Sequence, residues 1–276
     1  MKKILFPTDF SDISKNAFLF ALHLAKKIHA EIITLHVYDY PQMNYMDVPV
    51  YLPEIYEVTD LNNFENYKGH VPVLRAIAEA HQLEDIKISN VLENGDLISA
   101  IHELTKKENI DYIVMGTKGA TGLAATFLGS VTQKVMNASH VAVIAIPENC
   151  SYQPTNRILF TTSYQTEEIE ILKNVLALAK VFHAHVDCLY VRPKNEDVDD
   201  SIIEHWKKMF PTKVATFHNI GSDDFEGTIL DFIELHHTDM LAVTTHHRNF
   251  FESLFEVSLS KKLIFHTKIP IVALQA

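Results

Sequence analysis

The sequence contains little cysteine and no long apolar run. Only two of its 276 residues are cysteine, Cys150 and Cys188, and they stand too far apart to form a CxxC pair. A disulfide framework is therefore excluded, and both are interpreted as buried or uninvolved thiols. No stretch is apolar enough for a membrane span, and the N-terminus reaches Pro7 and Asp9 before a signal-peptide core could form. These absences predict a cytoplasmic protein with no membrane partner.

Positive charge is also scarce. The chain has 24 Lys+Arg against 35 Asp+Glu, which gives a formal net charge of −11. We find no basic patch that would overcome the repulsion from a nucleic-acid backbone, so no nucleic-acid partner is predicted. A hydrophobic content of 47% is enough for a full core, and the length fits one large or two modest domains.

Histidine is frequent, but it does not form a recognisable metal motif. The pair His246-His247 could signal a metal or a pH-sensitive contact. Neither this pair nor His236-His237 has Cys or carboxylate partners at ligand spacing, so we interpret both as surface residues. No metal site is predicted.

The sequence repeats itself. The segment KILFPT begins at Lys3, and RILFTT begins at Arg157, 154 positions later. At the other end of each half, residues 111–115 and 141–146 match 239–243 and 269–274, both at an offset of 128. Such self-similarity is typical of a duplicated domain. The helix that follows each first strand repeats its apolar face as well: Ala17, Ala21, Leu24 and Ile28, then Ile171, Val175, Leu178 and Phe182.

The repeat predicts two domains, residues 1–150 and 151–276, joined by a polar segment that contains Pro154. The second half is shorter by 26 residues, the difference between the two offsets, and most of the missing length corresponds to residues 40–65. Residues 38–56 are rich in Pro and Tyr and are predicted to lack a regular helix. This insert could cover a ligand, offer a partner surface, or pack against its own domain.

Strands and helices alternate within each half. In the first half, strands are predicted near 3–7, 30–37, 86–92, 111–116 and 141–146, and helices near 12–28, 66–82, 96–108 and 130–138. The fold class is therefore α/β: two tandem Rossmann-like domains, each a five-stranded parallel sheet with helices on both faces. Ligands of such sheets bind at the carboxyl ends of the strands, where Asp9, Val37 and Gly116 are expected.

The last strand of each half carries no charge. Residues 141–146 and 269–274 would invite aggregation if either were left as an open sheet edge. Pairing these two strands with each other would cover both edges. We therefore predict that the halves form an intrachain pseudo-dimer.

A glycine-bearing segment follows the apolar run of residues 112–115. Gly116, Gly119, Gly129 and Ser130 form the pattern Gly-x2-Gly-x9-Gly-Ser, which is neither a Walker P-loop nor the dinucleotide fingerprint. Residues without Cβ let the backbone approach a phosphate, and the helix that follows directs N–H groups at an anion. The alternative is that the glycines only make the connection flexible.

This pattern resembles the universal stress protein family, in which it marks the members that bind ATP. The resemblance covers nearly all of both halves and implies an adenine nucleotide alpha hydrolase-like fold. It implies that the Asp of Pro7-Thr8-Asp9 lies beside the adenosine and that the backbone of Val37 reads the adenine edge. The ATP-binding residues implied by it are Pro7, Thr8, Asp9, Val37, Met115, Gly116, Gly119, Gly129, Ser130 and Val131.

The second half departs from this pattern. Ser163 stands at the position of Asp9, Thr244 at that of Gly116, and Val257 at that of Gly129. Side chains at the glycine positions would block the close approach of the backbone, and β-branched Val257 resists positive φ. We therefore predict one nucleotide site per chain, in the first half.

The resemblance predicts a stress-response regulatory protein that binds ATP or a related adenine nucleotide, with or without Mg²⁺, as a switch or interaction module. A slow ATP hydrolase is one alternative, but the loop offers no Asp, Glu or His to assist phosphoryl transfer, and no catalytic residue is predicted. A scaffold that binds no nucleotide is the other. Unknown protein partners and a further homodimer remain open.

Overall fold

The computed structural model describes residues 1–39, 52–117, 130–193, 198–245 and 268–275. The chain divides into two compact units, Met1–Met115 and Gly116–Ala276. This division differs from the repeat boundary near residue 150, because the last strand of the first half pairs with the last strand of the second. The domains 1–150 and 151–276 therefore stay a prediction based on the repeat.

Unit 1 alternates strands and helices along the chain. Its elements are β1 (Lys2–Pro7), α1 (Asp12–Ile28), β2 (Ala30–Tyr38), α2 (Leu52–Ala80), β3 (Ile88–Asn94), α3 (Leu97–Glu108) and β4 (Tyr112–Gly116), whose last residue already belongs to unit 2. Ser11 caps α1 by accepting a hydrogen bond from the Ser14 N–H.

The strands of unit 1 form a parallel sheet in the order β3-β2-β1-β4. Leu5 lies opposite Ile33 on β2 and opposite Ile113 on β4. The chain therefore moves from β1 towards one edge and then returns to the other side of β1. This reversal is the kind of switch point at which ligands of α/β sheets bind.

Both faces of this sheet are covered. Ile4, Leu5 and Phe6 follow one another on β1, and each is 0% exposed. Because successive side chains of a strand point to opposite faces, elements must pack on both sides of β1. The predicted apolar face of α1 is likewise buried at Ala17 and Ala21.

Two predictions about the region of α2 were wrong. The helix was expected near 66–82, and residues 38–56 were expected to contain no regular helix, but α2 begins at Leu52. The early start is compatible with Pro53, because a proline in the first turn has no hydrogen-bonding N–H to lose. The rest of the insert, residues 40–51, lies outside the described residues. Strand β3 lies two residues later than predicted.

Unit 2 contains the end of the first half and the whole second half. Its described elements are α4 (Ser130–Ala138), β5 (Ala142–Ile146), β6 (Arg157–Thr161), α5 (Glu168–Phe182), β7 (His185–Arg192), α6 (Asp200–Met209), β8 (Ala215–Gly221), α7 (Phe225–His236), β9 (Met240–Thr244) and β10 (Ile271–Leu274).

The second half builds the five-stranded parallel sheet that was predicted, in the order β10-β9-β6-β7-β8. Its order around β6 repeats the order of unit 1 around β1. A backbone bond repeats too: Thr117 N–H donates to the Ile146 carbonyl at 3.0 Å, and Thr245 N–H donates to the Leu274 carbonyl at 3.1 Å. The offset of 128 positions is therefore a structural repeat.

The expected pairing of the two apolar edge strands is confirmed. Strands β5 and β10 are antiparallel neighbours, with Ile144 opposite Val272. Ile144 is 4% exposed and Val272 is 0% exposed. Each strand therefore covers the edge of the other, which removes two templates for aggregation.

We expect Ile144→Ala to lower the free energy of unfolding by about 2 to 5 kcal/mol, because it leaves a cavity in a buried strand. Ile202→Ala is the control: Ile202 is 41% exposed on α6, and surface changes stay within about 0.5 kcal/mol. Urea denaturation of both variants would measure the difference. Equal stability of the two variants would contradict a buried β5.

Candidate functional site

The candidate site begins at the turn after β1. Pro7 ends the strand, and Thr8 and Asp9 follow it into the turn. Thr8 is 7% exposed, whereas Asp9 is exposed and its Oδ1 accepts a hydrogen bond from the Ser11 N–H at 3.1 Å. Phe10 has a φ of 59°, a left-handed conformation that is uncommon for a bulky residue. The turn therefore holds a strained backbone and presents a carboxylate to solvent.

The buried hydroxyl of Thr8 stabilises this turn through two hydrogen bonds. Its Oγ1 accepts a hydrogen bond from the Phe10 N–H at 3.0 Å and shares another with the Ser14 hydroxyl at 2.7 Å. The Thr8 N–H donates to the Leu35 carbonyl of β2. Sequence reasoning included Thr8 in the site but missed Ser14, whose role depends on the folded contact.

A second residue that sequence reasoning missed is His36. Its Nδ1 lies 2.7 Å from the Thr8 carbonyl oxygen. Its ring lies 5.1 Å from that of Phe10 and is stacked on Tyr67 at 6.0 Å, and His70 stacks on Phe10 at 4.8 Å. Burial raises the pKa of the Tyr67 hydroxyl, so this phenol stays neutral. We call these four residues the aromatic cluster.

Five of the predicted residues meet at one edge of unit 1. Pro7 lies opposite Leu35 on β2, so the turn that follows it is level with His36 and Val37. On the other side of β1, Leu5 lies opposite Ile113, and Met115 stands two residues after Ile113 near the end of β4. Val37 is half-buried near the end of β2, and Met115 is 6% exposed. The predicted residues Pro7, Thr8, Asp9, Val37 and Met115 are therefore brought together.

The remaining described residues of the prediction lie in unit 2. Ser130 and Val131 open α4, where Ser130 is exposed and Val131 is 44% exposed. The first N–H groups of a helix have no partner inside it, so this end is suited to an anion. Thr132 is 2% exposed and its hydroxyl donates to the Gly116 carbonyl at 2.9 Å, which ties α4 to the end of β4. Gly119 and Gly129 lie outside the described residues.

The second half keeps the backbone of the first turn and changes its chemistry. Tyr164, at the position of Phe10, has a φ of 60°, and its N–H donates to the Thr162 hydroxyl at 3.0 Å, as Phe10 does to Thr8. Ser163 replaces Asp9. Glu168 replaces Ser14, and it is 2% exposed. The second half therefore keeps the backbone conformation of the turn but has no carboxylate at the position of Asp9.

Glu168 fills the inside of the second turn with its own carboxylate. Its Oε2 accepts hydrogen bonds from the Thr162 hydroxyl at 2.8 Å, the Ser163 N–H at 3.0 Å and the Gln165 N–H at 3.1 Å. Backbone donors at this end of the second sheet are therefore already bound to an internal anion. Thr244, at the position of Gly116, is 0% exposed, so a side chain is packed where the first half has none.

Within the described part of the chain, no group of three or more His, Cys, Asp or Glu side chains is placed to hold a metal ion. His246-His247 lie outside that part. Among the described helices, none is long and apolar enough to cross a membrane.

Unit 1 is an α/β layer with its switch point beside β1, an exposed carboxylate on the turn there, and a chain that runs into a glycine-bearing segment. These features are those of a Rossmann-like α/β protein. The chain belongs to the universal stress protein family, whose model matches residues 1–147. The predicted resemblance is therefore confirmed.

Individual relatives agree with this assignment. A universal stress protein of Methanocaldococcus jannaschii is 31% identical over 145 residues, covering 52% of this chain and 81% of the relative. Universal stress protein YxiE of Bacillus subtilis is 30% identical over 146 residues, covering 52% and 97%. A solved universal stress protein from Archaeoglobus fulgidus matches 99% of this chain and 96% of its own, with a TM-score of 0.70 and 19% identity. This last likeness shows the fold along almost the whole chain.

We expect Thr132→Val to lower the free energy of unfolding by about 1 to 3 kcal/mol, because the Gly116 carbonyl loses its hydroxyl partner while the side chain keeps its shape. Thr132→Ser keeps the hydroxyl and should lose less. Thermal denaturation of the two variants would compare them. Unchanged stability of Thr132→Val would show that this hydrogen bond does not hold α4 to the end of β4.

Proposed function

We propose that this chain is a stress-response regulatory protein that binds ATP or a related adenine nucleotide through its first half. The observation that carries the proposal is the exposed Asp9 carboxylate, held on a hydrogen-bonded turn at the switch point of unit 1. A carboxylate accepts hydrogen bonds from the hydroxyls of a ribose and repels phosphates, so it suits the nucleoside part of the ligand.

The phosphate-binding role of Gly116, Gly119, Gly129, Ser130 and Val131 remains part of this proposal. The start of α4 supports it, since Ser130 is exposed and offers a hydroxyl, and the first N–H groups of a helix have no partner inside it. The chain as a whole is strongly acidic, so backbone dipoles rather than a cluster of cations would hold the phosphates. The residues present therefore fit an adenine nucleotide. Mg²⁺, where bound, would supply charge neutralisation to the phosphates.

The difference between the halves supports a single site. Ser163 cannot replace the charge of Asp9, and Glu168 already occupies the inside of the second turn. In the proposal, the first half responds to nucleotide, and the second half covers the edge of β5 and keeps the fold. The proposal keeps the cytoplasmic setting expected from the sequence.

We expect Asp9→Ala to weaken ATP binding by about 10- to 100-fold, the effect of losing a charged hydrogen-bond acceptor. Ser163→Ala changes the same repeat position in the second half and should leave the affinity unchanged. Isothermal titration with ATP, in the presence and absence of Mg²⁺, would measure both. If the two variants bind like the wild type, Asp9 does not contact the nucleotide.

Turnover separates the proposal from its alternatives. The purified protein would be denatured and its supernatant tested for adenine nucleotide, and phosphate release would be assayed with ATP and Mg²⁺. Bound nucleotide without turnover supports the regulatory role, and turnover supports a slow hydrolase. A protein that carries no nucleotide and does not bind added ATP would leave the nucleotide-independent scaffold.

A further inference from the structure

We propose that His36 is a positioning residue for the nucleotide site: its Nδ1–H fixes the Thr8–Asp9 peptide and thereby aims the Asp9 carboxylate. The inference rests on the proposed function, because it concerns the residue that would contact the nucleoside. His36 itself need not touch the ligand. Its role is to hold the turn that presents Asp9.

The hydrogen bond defines the tautomer of His36. Nδ1 lies 2.7 Å from the Thr8 carbonyl oxygen, and a carbonyl oxygen can only accept. Nδ1 must therefore carry the hydrogen, and in the neutral ring Nε2 is then the nitrogen without one. The Thr8 carbonyl belongs to the same planar peptide unit as the Asp9 N–H. Holding this oxygen fixes the plane from which the Asp9 side chain departs.

His36 also contacts the residue that follows Asp9. Its ring contacts the ring of Phe10, the next residue along the chain, with centroids 5.1 Å apart. Phe10 has a φ of 59°, a conformation that persists only when surrounding contacts support it. His70 stacks on Phe10 with an interplanar angle of 13° and supports it further. One imidazole thus contacts the residues immediately before and after Asp9.

This support matters because Asp9 lies at the surface. Its side chain is exposed, so close packing cannot fix its direction. The Ser11 N–H donates to its Oδ1 at 3.1 Å, and the direction in which the side chain leaves the chain is set by the orientation of its own backbone. Two hydrogen bonds hold this backbone: the Phe10 N–H donates to the Thr8 hydroxyl, and the Nδ1–H of His36 on β2 donates to the Thr8 carbonyl.

The second half provides an internal comparison. Tyr190 stands 154 positions after His36 and is 5% exposed, with its ring edge-on to Tyr164 at 5.5 Å. A phenol carries its only donor at the far end of the ring and cannot reproduce the Nδ1–H. There, Ser163 N–H is held by Glu168 instead. The histidine occurs in the half that has the aspartate, and both are replaced in the half that lacks it.

The test compares His36→Leu with His36→Asn. Leucine removes the donor, whereas the amide N–H of asparagine can take the place of Nδ1–H. We expect His36→Leu to weaken ATP binding about tenfold in isothermal titration and His36→Asn to stay within about twofold of the wild type. Tyr190→Leu makes a similar change at the equivalent position of the second half and should leave the affinity unchanged. Thermal unfolding without nucleotide would identify a variant that fails to fold.

The outcomes separate the two proposals. If the wild type does not bind ATP, the proposed function fails and the role of His36 fails with it. If the wild type binds ATP and His36→Leu binds equally well, only the role of His36 is overturned. If His36→Asn loses as much affinity as His36→Leu while remaining folded, the ring rather than its Nδ1–H is required, and the inference is again overturned.

A spectroscopic measurement tests the hydrogen bond without any nucleotide. Nitrogen-15 NMR of histidine-labelled protein at about pH 8, above the ordinary titration range of histidine, distinguishes the two neutral tautomers. The His36 signals would be assigned by their loss in His36→Asn. We expect the Nδ1–H tautomer. The Nε2–H tautomer would overturn the inference whichever nucleotide the protein binds.

Discussion

The antiparallel pairing of β5 with β10 is the constraint on which the arrangement of the repeat depends. Each strand is uncharged and buried, so neither tolerates an open edge towards water. Because both strands belong to one chain, the edge of each half is always covered by the other. The second half is therefore required for the structure whether or not it binds a ligand.

The consequence is visible in which contacts the two halves share. In both halves a threonine hydroxyl, of Thr8 or Thr162, accepts a hydrogen bond from the N–H two residues later, and that later residue has a positive φ. In both halves a second threonine, Thr117 or Thr245, donates its N–H to the last strand. These are backbone-supporting contacts. The differences lie in the side chains beside these contacts: Asp9 against Ser163, and Gly116 against Thr244. The two turns therefore share their backbone structure and differ in the residues that the proposal assigns to the nucleotide.

Much of the fold could be predicted from the sequence because it depends on local periodicity. Apolar runs such as residues 112–115 identify strands, and the step pattern of Ala17 and Ala21 identifies a helix face. The start of α2 could not be predicted in this way, because a proline in the first turn of a helix costs no backbone hydrogen bond. Nor could the division into compact units, which follows from pairing between strands that lie far apart in the sequence.

The candidate site shows the same limit. Asp9 was identified because the family motif contains it, whereas His36 and Ser14 act through contacts with Thr8 that no spacing reveals. A signal did exist in the repeat: His36 and Tyr190 occupy the same position, and so do Ser14 and Glu168. Both positions differ between the halves, as Asp9 and Ser163 do, and this joint difference would have indicated that all three positions act together.

Glu168 also bears on the proposal that the second half has no nucleotide site. A buried carboxylate that accepts three hydrogen bonds at one oxygen is firmly held, and it lies in the first turn of α5, where a negative charge is favoured by the helix dipole. Restoring glycine at Thr244 would remove a side chain but leave this anion in place. A phosphate or carboxylate approaching the same donors would meet like charge and donors already engaged. The inside of the second turn is therefore occupied by the chain's own carboxylate.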